Sequence, residues 1–125
     1  MKENKLVLIA RPYRAGTGDD PEKIAQNVAA MEAVAFQVYQ LGHTPMLGEW
    51  LALPLLREAG SAQIGEKIFQ YLFHTSAIRL LAHCDMVLRI GGSSAGADEM
   101  VRVGRQYGKE IIFSLDELDE IFSCK

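Results

Sequence analysis

Lys5 to Ala10 (KLVLIA) is an unbroken aliphatic run ended by Arg11-Pro12, the pattern of a strand buried on both faces at the centre of a parallel sheet. Arg11 to Asp20 (RPYRAGTGDD) reads as a loop. Asp20-Pro21-Glu22 then forms a helix start, because Asp20 can accept from orphan amides, Pro21 suits the first helical position and Glu22 complements the dipole. Ile24, Val28, Met31, Val34, Ala35, Val38 and Leu41 recur at helical spacing, and Gly42 suits the helix end. Thr44 to Leu47 is a short second strand, with Gly48-Glu49-Trp50 at its carboxyl end.

Residues 51–83 carry a broken helical pattern, with pieces over Leu51 to Ala59 and Gly65 to Ala82 interrupted by Pro54 and Gly60. Asp85 to Ile90 (DMVLRI) predicts a third strand, Gly91-Gly92-Ser93-Ser94 a turn, and Ala95 to Tyr107 a helix stopped by Gly108. Glu110 to Ser114 predicts a fourth strand and Leu115 to Phe122 a terminal helix. Strands alternating with helices imply an α/β fold: a single Rossmann-like or flavodoxin-like domain over residues 1–125, with about four to five parallel strands and helices on both faces.

Composition narrows the function. The 125 residues carry 13 basic and 16 acidic side chains, a net charge of −3, which lacks the basic footprint that duplex nucleic acid requires. Free nucleotides need only a few local donors and stay in play. Cys84 and Cys124 show no CxxC or Cys/His zinc spacing, so we expect reduced thiols, no structural metal and a cytoplasmic setting. No stretch approaches the roughly 20 apolar residues of a membrane-spanning helix, and we expect a soluble domain. No cofactor motif of the GxGxxG or GxxxxGK[ST] kind is present.

In open α/β sheets the ligand crevice lies outside the carboxyl ends of the strands, where Arg11 to Gly18, Gly48 to Trp50 and Gly91 to Glu99 are expected to converge. The run from Gly91 to Gly96 has two readings: a serine-capped turn, or a phosphate site built from backbone amides, Ser93 and Ser94 at a helix N-terminus. Arg11 and Arg14 flank Tyr13, offering guanidinium forks for a phosphate and a ring for a base; as plain surface residues they would simply be solvated. Glu49 and Trp50 offer a hydroxyl acceptor and a stacking platform, or else Trp50 heads an apolar packing segment, Trp50 to Leu56. Asp98 and Glu99 serve as first-turn acids or as reactive carboxylates. His74 and His83 read as helix-face histidines.

Ile9-Ala10-Arg11-Pro12-Tyr13, Leu41-Gly42-His43-Thr44-Pro45, Cys84-Asp85-Met86-Val87, Ser94-Ala95-Gly96-Ala97 and Gly108-Lys109 together resemble the nucleoside 2-deoxyribosyltransferase superfamily across nearly the whole chain. Within it, the run Gly96-Ala97-Asp98-Glu99-Met100 is similar to a group of uncharacterised bacterial proteins. The resemblance implies chemistry at the N-glycosidic bond of a deoxynucleoside or its monophosphate, with a glutamate nucleophile on the helix after the third strand. Counting four residues on from Gly96, or eight back from Gly108, lands on Met100. Ser94 stands where the transferases carry an aspartate and is similar to the monophosphate hydrolase branch, in which that loop holds the 5′-phosphate.

The sequence therefore leads to two expectations. One is a nucleotide- or sugar-phosphate-binding protein with Arg11, Tyr13, Arg14, Glu49, Trp50, Gly92, Ser93, Ser94 and Gly96 on the ligand, and with Glu99 or Asp98 as the displaced reactive carboxylate. The other is a non-catalytic sensing or interaction module. Tyr13, Arg14, Glu49, Trp50, Ser93, Ser94, Asp98 and Glu99 are expected to form the mouth of the site. The aliphatic surface of residues 51–83, and the shared pockets of the superfamily it resembles, point to a homodimer or higher homo-oligomer.

Overall fold

The computed structural model describes residues 4–60 and 67–118. Its elements follow the order β1 (Leu6–Ala10), α1 (Pro21–Gln40), β2 (Thr44–Met46), α2 (Gly48–Glu58), α3 (Lys67–Leu81), β3 (Met86–Arg89), α4 (Ala95–Gln106) and β4 (Glu110–Ile112). The strands form one parallel sheet in the order β2-β1-β3-β4, with helices on both faces. The α/β architecture is therefore the one expected. No helix among the described residues is long and apolar enough to cross a membrane.

Strand alternation sorts the core into two layers. Val7 and Ile9 of β1 pack with Met31, Ala35 and Val38 of α1, joined by Met86, Leu88 and Ile112. Leu8 and Ala10 face the other way, onto Ala77 and Leu81 of α3 and Ala97, Met100 and Val103 of α4. A smaller cluster, Ala52 and Leu56 with Leu53, Leu72, Phe73 and Tyr13, holds α2 against α3.

The helix ends follow local chemistry. Asp20 accepts from the Glu22 amide at 3.0 Å, with Pro21 in the first turn. At the far end Gly42 takes φ +97°, and the Gly42 and His43 amides bond back to Tyr39 and Val38. The third strand starts at Met86 because Asp85 connects to β1 in another way: the Leu6 N–H donates to its carboxylate at 2.8 Å, and its own N–H donates to the Leu6 carbonyl.

Strand β2 ends at Met46 and β3 at Arg89, each one residue short of the sequence expectation, and larger differences lie elsewhere. Helix α2 begins at Gly48, so Gly48 and Glu49 sit in its first turn. Strand β4 ends at Ile112, since the Phe113 amide donates to Glu117 Oε2 at 2.7 Å and Ser114 caps the next turn. In place of the first turn of a terminal helix, Leu115–Glu117 form a 3-10 turn and Leu118 returns to extended backbone. Residues 119–122 of the expected terminal helix, and Gly65 and Glu66 of the helix expected from Gly65 to Ala82, lie outside the described residues.

Helix α4 lies close against the sheet at Gly104, where a Cβ would stand 3.0 Å from Ile111 Cδ1 and 3.2 Å from Val87 Cγ2. Gly104→Val overpacks this contact. We expect it to destabilise the fold by about 1–3 kcal/mol, read as a lower urea midpoint with an unchanged denaturant slope.

Candidate functional site

The connections from β1 and β3 leave toward opposite faces of the sheet, α1 on one and α4 on the other. Adjacent strands that diverge in this way open a crevice at their carboxyl ends. A cavity of about 600 Å³ lies there. Four segments wall it: the loop after β1, the first turn of α2, one face of α3 (Gln70, Phe73, His74, Ala77) and the first turns of α4.

The loop after β1 winds around Thr17, which is buried. The Thr17 amide and hydroxyl both donate to the Arg14 carbonyl, and the Asp19 and Asp20 amides bond back to Thr17. This turn brings Tyr13, Arg14, Ala15 and Asp19 to the cavity wall. Asn27 on α1 donates to the Tyr13 carbonyl at 2.9 Å, and the Tyr13 ring packs on Phe73 with centroids 5.2 Å apart. The phenol is pushed up by burial and then by the nearby Glu49 carboxyl.

The loop after β3 is fixed from beneath by Arg89. Its Nη1 and Nη2 donate to the carbonyls of Ile90 and Gly92, at 2.6 and 2.8 Å, and its Nε donates to Asp98 Oδ1 at 3.1 Å. Gly91, at φ +84°, comes so close to the β1 loop that a Cβ would stand 2.7 Å from Arg11 Cγ and 2.9 Å from Pro12 Cδ. The two loops therefore pack backbone against side chain.

Ser94 is the N-cap of α4, its hydroxyl oxygen accepting from the Ala97 amide at 3.1 Å. Of the two readings of this run, the serine-capped turn is the one the hydrogen bonds show. The Ala97 and Asp98 amides are taken by the Ser94 hydroxyl and carbonyl, whereas Ala95 and Gly96, whose amides precede the first intrahelical bond, are among the residues that line the cavity. A Cβ on Gly96 would meet nothing nearer than Ser94 Oγ at 3.9 Å, which leaves the helix end open to close approach.

Glu49 is the unusual group. The first turn of α2 carries it inward, so that it is only 6% exposed. Its Oε2 is buried and has no hydrogen-bond partner among the described residues. Burial drives the carboxyl up to about 7 from the ordinary 4.5, against the pull of a hydrogen bond from its own backbone amide. An uncompensated buried carboxyl is unfavourable to the fold, and such groups concentrate where a protein meets a ligand.

Of the residues expected at the site, Arg11, Tyr13, Arg14, Glu49, Ser94 and Gly96 line the cavity; Trp50, Gly92, Ser93, Asp98 and Glu99 do not. Trp50 lies about 100° around α2 from Glu49 and donates from Nε1 to Glu32 Oε2 on α1 at 3.1 Å. Ser93 and Gly92 are exposed, and the Gly92 carbonyl is held by Arg89. Asp98 is drawn to Arg89, and Glu99 pairs with Arg102, whose hydrogen bonds hold its carboxyl below the usual range. From α4 it is Met100 that faces the cavity, on the same stripe as Ala97.

The sequence reading did not place Asp19, Gln70, Phe73 and Ala77 at the site, and took His74 as a helix-face residue. Residues 70, 73, 74 and 77 have the i, i+3, i+4, i+7 spacing of one helix face, a signal that was present but that the breaks before it left without a direction. No protein-family model matches the chain, and a search of curated proteins finds no relative.

The Glu49 carboxyl has a consequence for stability. Between about pH 4.5 and 7 it is neutral in the fold and ionised in the unfolded chain, so folding takes up a proton and stability falls as pH rises through that window. The full loss is on the order of 3 kcal/mol. Glu49→Gln removes it, and we expect urea denaturation to show this variant gaining about 2–3 kcal/mol relative to the unsubstituted chain between pH 5 and 8.

Proposed function

We propose that this chain binds a nucleoside monophosphate, or a closely related sugar phosphate, in the crevice above β1 and β3. The observation that carries the reading is Glu49, a buried carboxyl with an unpartnered oxygen on the wall of a cavity that also receives a helix N-terminus. A ligand with an anion at one end and a hydroxyl or N–H donor at the other satisfies both features at once.

Each part of the ligand has a matching surface. The Ala95 and Gly96 amides, the positive end of the α4 dipole and the Arg14 guanidinium suit a phosphate. The Tyr13 and Phe73 rings offer an apolar platform for a base, and Glu49 suits a sugar hydroxyl or a base N–H. A volume of about 600 Å³ falls within the range of about 300–1,000 Å³ common for small-molecule sites. The resemblance of Ser94-Ala95-Gly96-Ala97 and its companion segments to the nucleoside 2-deoxyribosyltransferase superfamily points the same way.

The reading is recognition without cleavage of the N-glycosidic bond. A thioether forms no glycosyl ester and takes no proton, and Met100 occupies the α4 position that faces the cavity. Asp98 and Glu99 are paired with Arg89 and Arg102, and neither lines the cavity. Such a protein acts as a ligand-sensing module, in the cytoplasm by the cysteine argument made from the sequence.

Isothermal titration with inorganic phosphate, nucleosides and their monophosphates tests this. Monophosphates are expected to bind at least about tenfold more tightly than the matching nucleosides. Glu49→Gln is expected to weaken monophosphate binding by about tenfold while leaving inorganic phosphate unchanged, because the phosphate sits on α4. Chromatography should show no base release above background. Absence of binding by every monophosphate and sugar phosphate would overturn the reading.

A further inference from the structure

We propose that the exposed face shared by α1 and α2 is the contact between two copies of this chain, with α1 pairing antiparallel to its symmetry mate across a two-fold axis near Glu32. The inference rests on the outer surface and is independent of the ligand reading.

The surface of α1 is short of charge. From Ile24 to Gln40 the single charged residue is Glu32, although Ala25, Ala29, Ala33, Phe36 and Tyr39 are exposed. Surface helices ordinarily carry charged residues on their outer side. Here Phe36 and Tyr39 stand 60% and 56% exposed, their rings stacked on each other at 6.4 Å. Depletion of charge with enrichment in aromatic residues is the composition of an interface core.

The order of side-chain sizes identifies the occupant. Ala25, Ala29, Glu32, Phe36 and Tyr39 alternate in steps of four and three and so share one face of α1, turned by about 100° from the stripe facing the sheet. That inner stripe is already supplied by Ile24, Met31, Ala35 and Val38. Along the outer seam the first half is small and the second half is large. Laid antiparallel about Glu32, Ala25 meets the partner's Tyr39 and Ala29 meets the partner's Phe36, so each bulky ring finds a methyl-sized gap. One surface that is small at one end and large at the other is complementary to itself in this orientation, as an isologous contact requires.

Helix α2 widens the face. Trp50 is tied to Glu32 by the bond from its indole N–H, and Leu51, Pro54 and Leu55 are exposed on the same helix. The seam from Ala25 to Tyr39 is about 21 Å long, and with α2 beside it the face spans two helix widths of about 10 Å each. The flat footprint is roughly 400 Å², and the relief of the projecting rings brings its accessible area toward the lower end of the standard size, about 600 Å² per partner. The two-fold axis brings two Glu32 carboxylates near each other, a like-charge opposition that the Trp50 N–H bonds offset only in part. Removing that charge therefore strengthens the contact.

Sedimentation equilibrium from about 1 to 100 µM, on a chain of 13.8 kDa, tests the proposal. The unsubstituted chain is expected to reach twice its mass within this range. Phe36→Lys is expected to weaken association at least about tenfold with an unchanged circular dichroism spectrum, and Glu32→Gln to strengthen it about threefold or more. Phe113→Lys, which alters an aromatic residue that is equally exposed beyond β4, is expected to leave association unchanged. A monomer at about 100 µM overturns the proposal, as does a Phe36→Lys variant that associates like the unsubstituted chain. Association that Glu32→Gln leaves unchanged or weakens overturns the antiparallel arrangement about Glu32.

Discussion

The structure depends on the burial of β1 on both faces. Val7, Leu8, Ile9 and Ala10 are each less than 5% exposed, and no arrangement with β1 at a sheet edge or with one open face could achieve that. A strand so placed must pair on both sides, here with β2 and β3, and must receive a helix layer above and below. The chain leaves β1 toward one layer and β3 toward the other, so the crevice between their carboxyl ends follows from the packing of the core.

The crevice is shaped by loops that are held rather than left free. Thr17 gathers the amides of the first loop, Arg89 gathers the carbonyls of the second, and Gly91 lets the two loops touch. Among the described residues no group of three or more His, Cys, Asp or Glu side chains comes together as a metal site would require, and the order of the site rests on hydrogen bonds of the main chain. Asp98, at the start of α4, contributes to this framework by orienting Arg89.

Against that ordered frame Glu49 is, among the described residues, the side chain with a buried oxygen that has no hydrogen-bond partner. A chain selected for stability alone would place an apolar residue or an amide with partners there, since desolvating a carboxyl without compensation weakens the folded state. Its neighbour Trp50 points outward into the charge-poor face. One turn of α2 thus presents opposite sides to the cavity and to the outer surface, and the choice between them is made by a single 100° step of the helix.

The order of elements was legible in the sequence because each rests on local or nearest-neighbour physics: the aliphatic run of β1, the cap at Asp20, the Gly42 stop and the 3.6-residue period of α1 and α4. About half of the candidate site was legible too, namely the residues that immediately follow strands β1, β2 and β3, since in a parallel sheet those positions must lie on the crevice side. The rest was decided by the tertiary structure. Whether Asp98 and Glu99 or Met100 faces the cavity turns on the rotation of α4, which Gly104 sets by its close approach to Val87 and Ile111. Whether Glu49 is solvated or buried turns on where α2 begins and on α3 closing over it, and the α3 wall itself is recruited from residues far along the chain. Periodicity records which residues share a face of a helix, but the direction of that face is set by contacts between elements distant in sequence, and only the folded chain brings those together.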